Sequence, residues 1–143
     1  MCECYRTVKK GLEGIYVLII YISKDINVDI GALGRIFFTM GLYSYVGSAQ
    51  TKMEQRIKRH LRGKKRKFWH IDYLLDNSAA KIVEVLFKKG NKAEECKTAE
   101  ILSEKCTPIA GFGCSDCNCK SHLFHMKDYR FLQETMQLFL KET

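Results

Sequence analysis

Two short aromatic–glycine blocks and a basic segment after them hold the residues of this 143-residue chain that are most able to do chemistry. The blocks are Gly14-Ile15-Tyr16 and Tyr45-Val46-Gly47, and Arg56 and His60 follow them four residues apart. Residues at this spacing share one line along a helix, so the guanidinium and the imidazole are expected to be neighbours. Two phenols, a guanidinium and an imidazole suit the hydrolysis of a phosphodiester, provided that a metal-binding carboxylate is also present.

The pattern of apolar residues predicts the strands and the helix that would position these groups. Residues 14–23 are rich in Val, Ile and Tyr and predict a buried strand, and residues 43–47 predict another. Thr51 and Glu54 have the spacing of a capping box, which predicts the start of a helix that stops near Gly63. The phenols therefore belong to strands, and the guanidinium and the imidazole belong to the helix that follows.

The rest of the pattern predicts a small α/β fold of the α+β type. Further predicted elements are strands at residues 35–39, 82–88 and 122–126, a helix at 94–105, and a strand-like alternation at His70 and Asp72. We expect a mostly antiparallel sheet of three to five strands, flanked by helices, in one domain over residues 1–143. A Cys-rich loop at 111–122 and an amphipathic C-terminal helix at about 127–141 belong to the same domain.

Composition narrows the class of protein. A hydrophobic content of 46% and a single proline favour one globular domain without a linker. The longest apolar run, residues 15–22, is far shorter than the roughly 20 residues of a membrane-spanning helix. The N-terminal residues lack the layout of a signal peptide. We therefore expect a cytoplasmic protein that does not associate with membranes.

The net charge of +8 is concentrated in one segment. Residues 52–67 hold nine Lys or Arg side chains and a single acid, Glu54. Such a segment predicts binding to a polyanion, with nucleic acid as the first candidate, although a solvated helix face followed by a loop is the other interpretation. Aromatic residues that can stack on bases follow directly. The predicted nucleic-acid contacts are Lys52, Arg59, Arg62, Lys64, Lys65, Arg66, Lys67, Trp69 and His70.

Seven cysteines raise a separate question about metal binding. A disulfide framework is not expected in a cytoplasmic chain. Cys114, Cys117, Cys119 and His122 supply four potential zinc ligands within nine residues, so a structural Zn²⁺ site is one interpretation. The alternative is a tight loop with buried thiols, because this spacing is less typical of zinc sites. The other cysteines, Cys96 among them, show no convincing ligand spacing.

Further motifs accompany the two tripeptides. They are Gly41-x-Tyr43-x-Tyr45-Val46-Gly47-Ser48-Ala49, Trp69-His70-Ile71-Asp72-Tyr73-Leu74, Glu95-Cys96, and Gly111-Phe112-Gly113-Cys114-Ser115-Asp116-Cys117-x-Cys119. With Arg56 and His60, this ordered set resembles the GIY-YIG nuclease superfamily, and most closely its DUF123 branch, from about residue 11 to 124. The tripeptides of that superfamily usually lie on adjacent strands, whereas 29 positions separate the two tyrosines here. Residues 25–40 are therefore expected to form an inserted hairpin.

The resemblance implies a metal-dependent endonuclease that acts on DNA, with branched or damaged DNA among the candidate substrates and RNA as a further candidate. Tyr16 would be the general base for the attacking water or a relay, and His60 would take the phenolic proton. Arg56 would stabilise charge on the phosphoryl oxygens, and Tyr45 would hydrogen-bond the phosphate or the water. Glu95 would bind one Mg²⁺ or Mn²⁺ ion, which prefers oxygen ligands and retains most of its water.

A second class of function stays open from the sequence. The chain could be a nucleic-acid-binding module that has kept the scaffold without the chemistry, with or without a zinc loop. The acid of the superfamily is often followed by a polar residue, for which Asp116 and Asn118 are candidates, and Glu94 is a rival for the role of Glu95. Specificity could also come from a protein partner, because no separate target-recognition domain is expected.

Overall fold

A six-stranded antiparallel sheet organises the computed structural model, which describes residues 14–114 and 117–141. The strands lie in the order β6-β7-β4-β1-β5-β8. Their bounds are β1 Gly14–Ile22, β4 Gly41–Ala49, β5 Ala80–Lys89, β6 Thr107–Pro108, β7 Leu123–Met126 and β8 Gln137–Lys141. The other elements are β2 Ile26–Asp29, β3 Arg35–Phe38, α1 Met53–Leu61, α2 His70–Leu75, α3 Lys92–Lys105 and α4 Arg130–Thr135.

Strand β1 lies inside the sheet and is covered on both faces. Eight of its nine residues are buried, and only Tyr21 is exposed. Leu18 and its alternate neighbours pack in a core with residues of α1, α2 and the β2–β3 hairpin, whereas Val17 and its alternate neighbours pack with residues of α3 and α4. Because each fully buried Val, Leu or Ile contributes about 1.5–3 kcal/mol, this strand is a major source of stability.

The register between β1 and β4 brings the two tripeptides together. The strands pair antiparallel over their whole length, with Tyr16 opposite Gly47 and Leu18 opposite Tyr45. The residues between the strands contain β2 and β3, which form a separate two-stranded sheet. The predicted inserted hairpin is therefore present, and it leaves the two tyrosines on adjacent strands.

The predicted fold class is confirmed, with one more strand in the main sheet than the upper end of the expectation. The prediction of a C-terminal helix at about 127–141 was wrong in its extent. Helix α4 covers only Arg130–Thr135, and β8 then pairs with β5. Pairing with β5 satisfies the backbone of these last residues and buries Phe139 and Leu140, which outweighs their helical spacing.

Two local predictions were also wrong, and a third element begins earlier than predicted. The segment expected to alternate like a strand is helix α2, in which Ile71 and Leu74 are buried one helical turn apart. Helix α1 has Lys52 rather than Thr51 at its N-cap position, and Lys52 makes no capping hydrogen bond through its side chain within the described residues. Helix α3 begins two residues before the prediction, because the side chain of Asn91 accepts a hydrogen bond from the Glu94 backbone N–H at 3.3 Å.

The described helices are short. The longest, α3, has 14 residues, and none of the helices in the described ranges is long and apolar enough to cross a membrane.

Candidate active site

A cavity of about 400 Å³ collects residues from both sides of the sheet. Strands β1 and β4 supply the tyrosines, α1 supplies the arginine and α3 supplies the glutamate. Its lining residues are Tyr16, Tyr45, Gly47, Ser48, Arg56, Phe68, Trp69, His70, Lys92, Glu95 and Gly113. Four of the five predicted catalytic and metal-binding residues therefore border one cavity, and the fifth, His60, is in hydrogen-bond contact with one of them.

Gly47 makes room for the phenol of Tyr16. The two residues are directly opposite in the β1–β4 pairing. A Cβ atom on Gly47 would overlap the ring and hydroxyl of Tyr16. The glycine of the second tripeptide is thus required for space, because Gly47 is not among the glycines with positive φ.

Tyr16 and His60 form a buried hydrogen-bonded pair. The Tyr16 hydroxyl lies 2.7 Å from Nε2 of His60, and each residue is only 2% exposed. Burial raises the pKa of Tyr16 well above its usual value, although Arg56 acts in the opposite direction. Burial also lowers the pKa of His60 to about 3, with Asp72 opposing the shift. At neutral pH the phenol is therefore protonated and the imidazole neutral, so Tyr16 donates to Nε2.

Arg56 is held at the cavity by two neighbours. Its Nη1 donates to the backbone carbonyl of Ser48 at 2.7 Å. Its guanidinium carbon is 5.0 Å from the centre of the Trp69 ring. A half-buried guanidinium restrained in this way is a pre-organised donor for anionic oxygens, because little side-chain freedom is left to lose on binding.

Tyr45 on β4 lines the same cavity. It is 8% exposed, and its ring contacts His60 and Phe112 edge-on with centroid separations of 6.2 Å in each case. Burial raises the pKa of Tyr45 well above its usual value, and Tyr16 and Glu95 act in the same direction. Its hydroxyl therefore remains a protonated donor at neutral pH.

Glu95 is a buried carboxylate with partners on both oxygens. The Ser48 hydroxyl donates to Oε1, the Lys92 ammonium is 3.4 Å from Oε1, and His122 Nδ1 is 2.9 Å from Oε2. Burial acts to raise the pKa of Glu95, but the hydrogen bonds from His122 and Ser48 outweigh it and hold the pKa below the usual value. The group is ionised, and a carboxylate accepts about four hydrogen bonds, so lone pairs remain for a metal ion.

Ser48, Lys92 and His122 were not predicted as partners of this carboxylate. Ser48 follows Gly47 on β4, so strand alternation directs it toward α3. Lys92 lies three residues before Glu95 on α3, a spacing that could have been recognised as an ion pair on one helix face. His122 was predicted only as a metal ligand, and no sequence spacing indicated that its ring reaches Glu95.

The basic segment divides into residues with contacts inside the chain and residues at the surface. Arg59 forms two hydrogen bonds of 2.9 Å with Asp72, and Lys65 donates to the His60 and Arg62 carbonyls at the end of α1. The Lys67 ammonium lies 3.2 Å from the Asp76 carboxylate. The exposed members of the predicted set are Lys52, Arg62, Lys64, Arg66 and Lys67. Arg59 and Lys65 thus have structural contacts that their positions in the sequence do not reveal.

Aromatic and imidazole groups border the cavity beside this segment. Phe68 is 78% exposed and contacts the Trp69 ring edge-on. The backbone N–H of Gly113 donates to Nδ1 of His70 at 2.8 Å. Burial lowers the pKa of His70, and an accepting Nδ1 requires a neutral ring with its proton on Nε2. His70 therefore presents an N–H donor besides its structural bond.

The potential metal ligands that lie together in the structure differ from the four predicted from sequence spacing. The potential metal ligands that lie together are Cys96, Cys117, Cys119 and His122, with their ligand atoms within 4.8 Å of one another. Cys114 is not among them, and its thiol donates to the Phe112 carbonyl at 3.3 Å. Cys96 replaces it because α3 packs beside the loop, a contact between distant parts of the chain. The candidate Asp116 lies outside the described residues, and Asn118 lines a second cavity near the thiols.

Comparison with known proteins gives a family without an assigned activity. A family model described as "Domain of unknown function DUF123" matches residues 15–143. No curated protein and no solved structure matches the chain. Because the family model covers nearly all of the sequence, the chain belongs to the DUF123 family.

Proposed function

We propose that this protein is a divalent-metal-dependent endonuclease of the GIY-YIG type that hydrolyses phosphodiester bonds in DNA. The main support is one geometric observation. Tyr16, Tyr45, Arg56 and Glu95 border a single cavity, and a buried neutral imidazole lies 2.7 Å behind the Tyr16 hydroxyl. These groups match the parts that phosphodiester hydrolysis needs, namely a proton acceptor, charge-stabilising donors and a carboxylate for a metal ion.

The Tyr16–His60 pair supplies the proton acceptor. A free phenolate is not populated at neutral pH, because burial raises the pKa of Tyr16. The phenol already donates to His60, so its oxygen can accept a proton from the attacking water while its own proton passes to Nε2. The relay ends on an imidazole that is neutral before the reaction, since burial lowers the pKa of His60 to about 3.

Arg56 supplies positive charge where the phosphoryl oxygens become more negative. Its guanidinium is restrained by the Ser48 carbonyl and the Trp69 ring, so it needs little reorganisation during the reaction. Tyr45 and the Nε2–H of His70 are neutral donors on the same cavity wall. Together they would orient the phosphodiester against the Tyr16 hydroxyl.

Glu95 fits the role of the metal-binding carboxylate. It is ionised, it faces the cavity, and its Oε2 keeps a lone pair beyond the hydrogen bond with His122. When bound there, Mg²⁺ or Mn²⁺ would stabilise negative charge on the leaving oxygen of the phosphodiester. The Ser48 hydroxyl and the His122 ring would keep the carboxylate in place.

A path for the polynucleotide adjoins the cavity. A smaller depression of about 330 Å³ lies beside the active-site cavity. It shares Ser48, Arg56 and Lys92 with that cavity and extends to Lys52. The exposed Phe68 offers a stacking surface for a base at the rim of the first cavity. Surface cations and an exposed ring favour DNA contacts through the backbone and the base faces, with little sequence readout.

We expect the enzyme to act in the cytoplasm, where its free thiols would remain reduced. RNA is the other candidate substrate, since backbone charge and stacking serve both polymers. A protein partner would supply target specificity in this proposal.

The experiment that tests the proposal is a cleavage assay on linear, flapped, branched and single-stranded DNA with Mg²⁺ or Mn²⁺. Cleavage should require the metal and should be lost in Tyr16→Phe, Arg56→Ala and Glu95→Gln. Tyr21→Phe is the matched control, because Tyr21 is an exposed tyrosine on the same strand and should be dispensable. Circular dichroism of each variant separates loss of chemistry from loss of the fold.

A non-catalytic nucleic-acid-binding module is the second candidate. The favouring observation is that both Glu95 oxygens already have partners, namely Ser48 and Lys92 on one and His122 on the other. Such a module would bind DNA in a salt-sensitive way, Tyr16→Phe would leave the affinity unchanged, and none of the substrates would be cut.

A further inference from the structure

Four potential metal ligands meet where α3 packs beside the Cys-rich loop. Cys96 comes from α3, Cys117 and Cys119 come from the loop, and His122 directly precedes β7. The sulfur of Cys117 is 3.4 Å from Nε2 of His122, and all four ligand atoms lie within 4.8 Å of one another. Neighbouring ligand atoms around a tetrahedral zinc ion are roughly 3.5–3.8 Å apart, given the usual Zn–S and Zn–N lengths. A small contraction would therefore complete a tetrahedral site.

The chemistry of the donor set selects the ion. Three thiols and one imidazole are the ligands of a closed structural zinc site, whereas Mg²⁺ and Mn²⁺ prefer oxygen. None of these three cysteines is in a disulfide. A disulfide between any two of them would leave the third thiol unpaired beside the His122 ring, which is only 1% exposed.

The two nitrogens of His122 connect this cluster to the proposed active site. Nε2 faces the thiols, and Nδ1 is 2.9 Å from Oε2 of Glu95. A histidine that binds a metal through one nitrogen commonly donates its other N–H to a carboxylate, which fixes the ring and the carboxylate together. Glu95 and Cys96 are also consecutive on α3, so one helical turn contributes a residue to the thiol cluster and a residue to the proposed active site.

We propose that Cys96, Cys117, Cys119 and His122 bind one Zn²⁺ ion, and that this ion, acting through His122, positions the carboxylate of Glu95. A cavity of about 700 Å³ lined by Cys96, Cys117 and Cys119 gives the ion a route from solvent. The zinc is structural and distinct from the Mg²⁺ or Mn²⁺ of the proposed reaction. Zinc binding does not depend on nuclease activity, because its ligands are separate from the groups that would contact DNA.

The first test measures metal in the full chain without nucleic acid. Protein produced in zinc-containing medium should carry close to one zinc per chain by inductively coupled plasma mass spectrometry. Replacement of zinc by Co²⁺ should give the intense visible absorption of a tetrahedral thiolate site. Absence of stoichiometric zinc, or a cobalt spectrum typical of octahedral oxygen ligands, would overturn the proposal without any variant.

Variants then distinguish the spatial ligand set from the set expected from sequence spacing. Cys96→Ser should weaken zinc binding at least tenfold in a competition with a chromogenic chelator. Cys114→Ser and Cys106→Ser should leave the affinity unchanged, since neither thiol belongs to the cluster. Loss of zinc in Cys114→Ser with retention in Cys96→Ser would contradict the proposed ligands, as would a disulfide among the three cysteines in freshly purified protein.

The link to Glu95 has its own readout. Glu95→Gln should lower zinc affinity about 10–100-fold while keeping the tetrahedral cobalt spectrum, because the ligands remain and only the partner of His122 is weakened. Glu94→Gln is the matched control on the same helical turn and should bind zinc like the wild type. Equal zinc affinity in both variants would contradict the positioning role of the zinc ion toward Glu95.

Failure of the zinc site and failure of the proposed function give different results. A chain that binds zinc but cuts no DNA would reject the nuclease and keep the zinc site. A chain that cuts DNA but binds no zinc would reject only the zinc site.

Discussion

The hydroxyl of Tyr16 lies 2.7 Å from Nε2 of His60, and both side chains are buried within the fold. One residue comes from the central strand β1 and the other from helix α1, 44 positions later. Burial keeps both groups uncharged, which is the starting state that a proton relay requires. The same burial also makes the pair a determinant of stability that depends on pH.

Replacing His60 should change how stability depends on pH. The pKa of His60 is about 3 in the fold, compared with about 6.5 in an unfolded chain, so only the unfolded chain binds a proton between these values. Wild-type stability contributed by neutral His60 is therefore lost as pH falls below about 6.5. The advantage of wild type over His60→Gln should decrease by about 2 kcal/mol between pH 6.5 and 4.5, measured by urea unfolding. If the stability difference between wild type and His60→Gln did not vary over this pH range, the assignment of a buried His60 that is neutral in the fold would be wrong.

Gly47→Ala should destabilise the protein and disturb Tyr16. The added Cβ would overlap the phenol ring, which is itself enclosed by the core. We expect a loss of about 1–3 kcal/mol in the free energy of unfolding, as is typical of overpacking. Gly63→Ala is the matched control, because a Cβ there meets nothing within 4 Å. Equal stability of the two variants, measured by thermal unfolding, would show that the predicted overlap is relieved without cost.

Asp72→Asn should be less stable than the wild type at neutral pH. The difference in stability should become smaller in acid. Burial acts to raise the pKa of Asp72, but hydrogen bonds from Arg59 and from the Trp69 and Phe68 N–H groups outweigh it and lower the pKa. The carboxylate is fully buried, so at pH 7 we expect a cost of about 2–4 kcal/mol. Because the folded pKa is lowered, the ionised group stabilises the fold above about pH 4, and this contribution is lost as pH falls further.

The control for Asp72 is Asp76→Asn, which removes an exposed pair with Lys67. Exposed pairs contribute about 0–1 kcal/mol, so this variant should unfold close to wild type at every pH. If the two aspartates proved equivalent in urea unfolding at pH 7, the structural role assigned to the Arg59–Asp72 pair would be wrong.

Removing surface cations should weaken DNA binding in a salt-dependent way. Lys52→Gln, Arg62→Gln and Lys64→Gln each remove an exposed charge of the basic segment. Each charge that contacts a phosphate should lower the slope of log K against log salt by about one, in fluorescence-anisotropy titrations. Lys81→Gln, an exposed lysine on β5, serves as the control. A slope that changes as much in Lys81→Gln would mean that binding is not localised to this segment.

Phe68→Ala should weaken binding to single-stranded DNA more than binding to duplex DNA. Phe68 is 78% exposed at the rim of the cavity, so its removal costs the fold little. Stacking of one base on an aromatic ring contributes about 1–3 kcal/mol. The control is Phe37→Ala, another exposed phenylalanine, on the β2–β3 hairpin. Equal affinities of the Phe68→Ala variant and the wild type for single-stranded DNA would exclude stacking there.

The sequence predicted the parts of the fold that depend on local pattern. Strand β1 is a continuous apolar run, and the inserted hairpin was inferred from the distance between Tyr16 and Tyr45. The final strand β8 could not be predicted, because its helical spacing is overridden by pairing with β5, a contact across about 50 residues. Helix α2 was missed because its buried Ile71 and Leu74 are few and lie beside polar residues that alternate.

The site residues could be predicted where their spacing within one helix or strand indicates that they are neighbours. They could not be predicted where the contact joins elements that are distant in the sequence. Arg56 and His60 share helix α1, and spacing identified them. Cys96 joins the thiol cluster only because α3 packs beside a loop more than 20 residues further along the chain, so no linear spacing could reveal it. The same packing brings His122 to Glu95.

The measurement that tests the nuclease proposal most directly is the single-turnover rate of DNA cleavage by wild type and Tyr16→Phe, at saturating enzyme with Mg²⁺ or Mn²⁺. The proposal predicts metal-dependent cleavage by wild type and a rate about 10²–10⁴-fold lower in Tyr16→Phe, with unchanged DNA affinity and with Tyr21→Phe at the wild-type rate. Cleavage of equal rate in Tyr16→Phe, or no cleavage by wild type on any substrate that it binds, would contradict it.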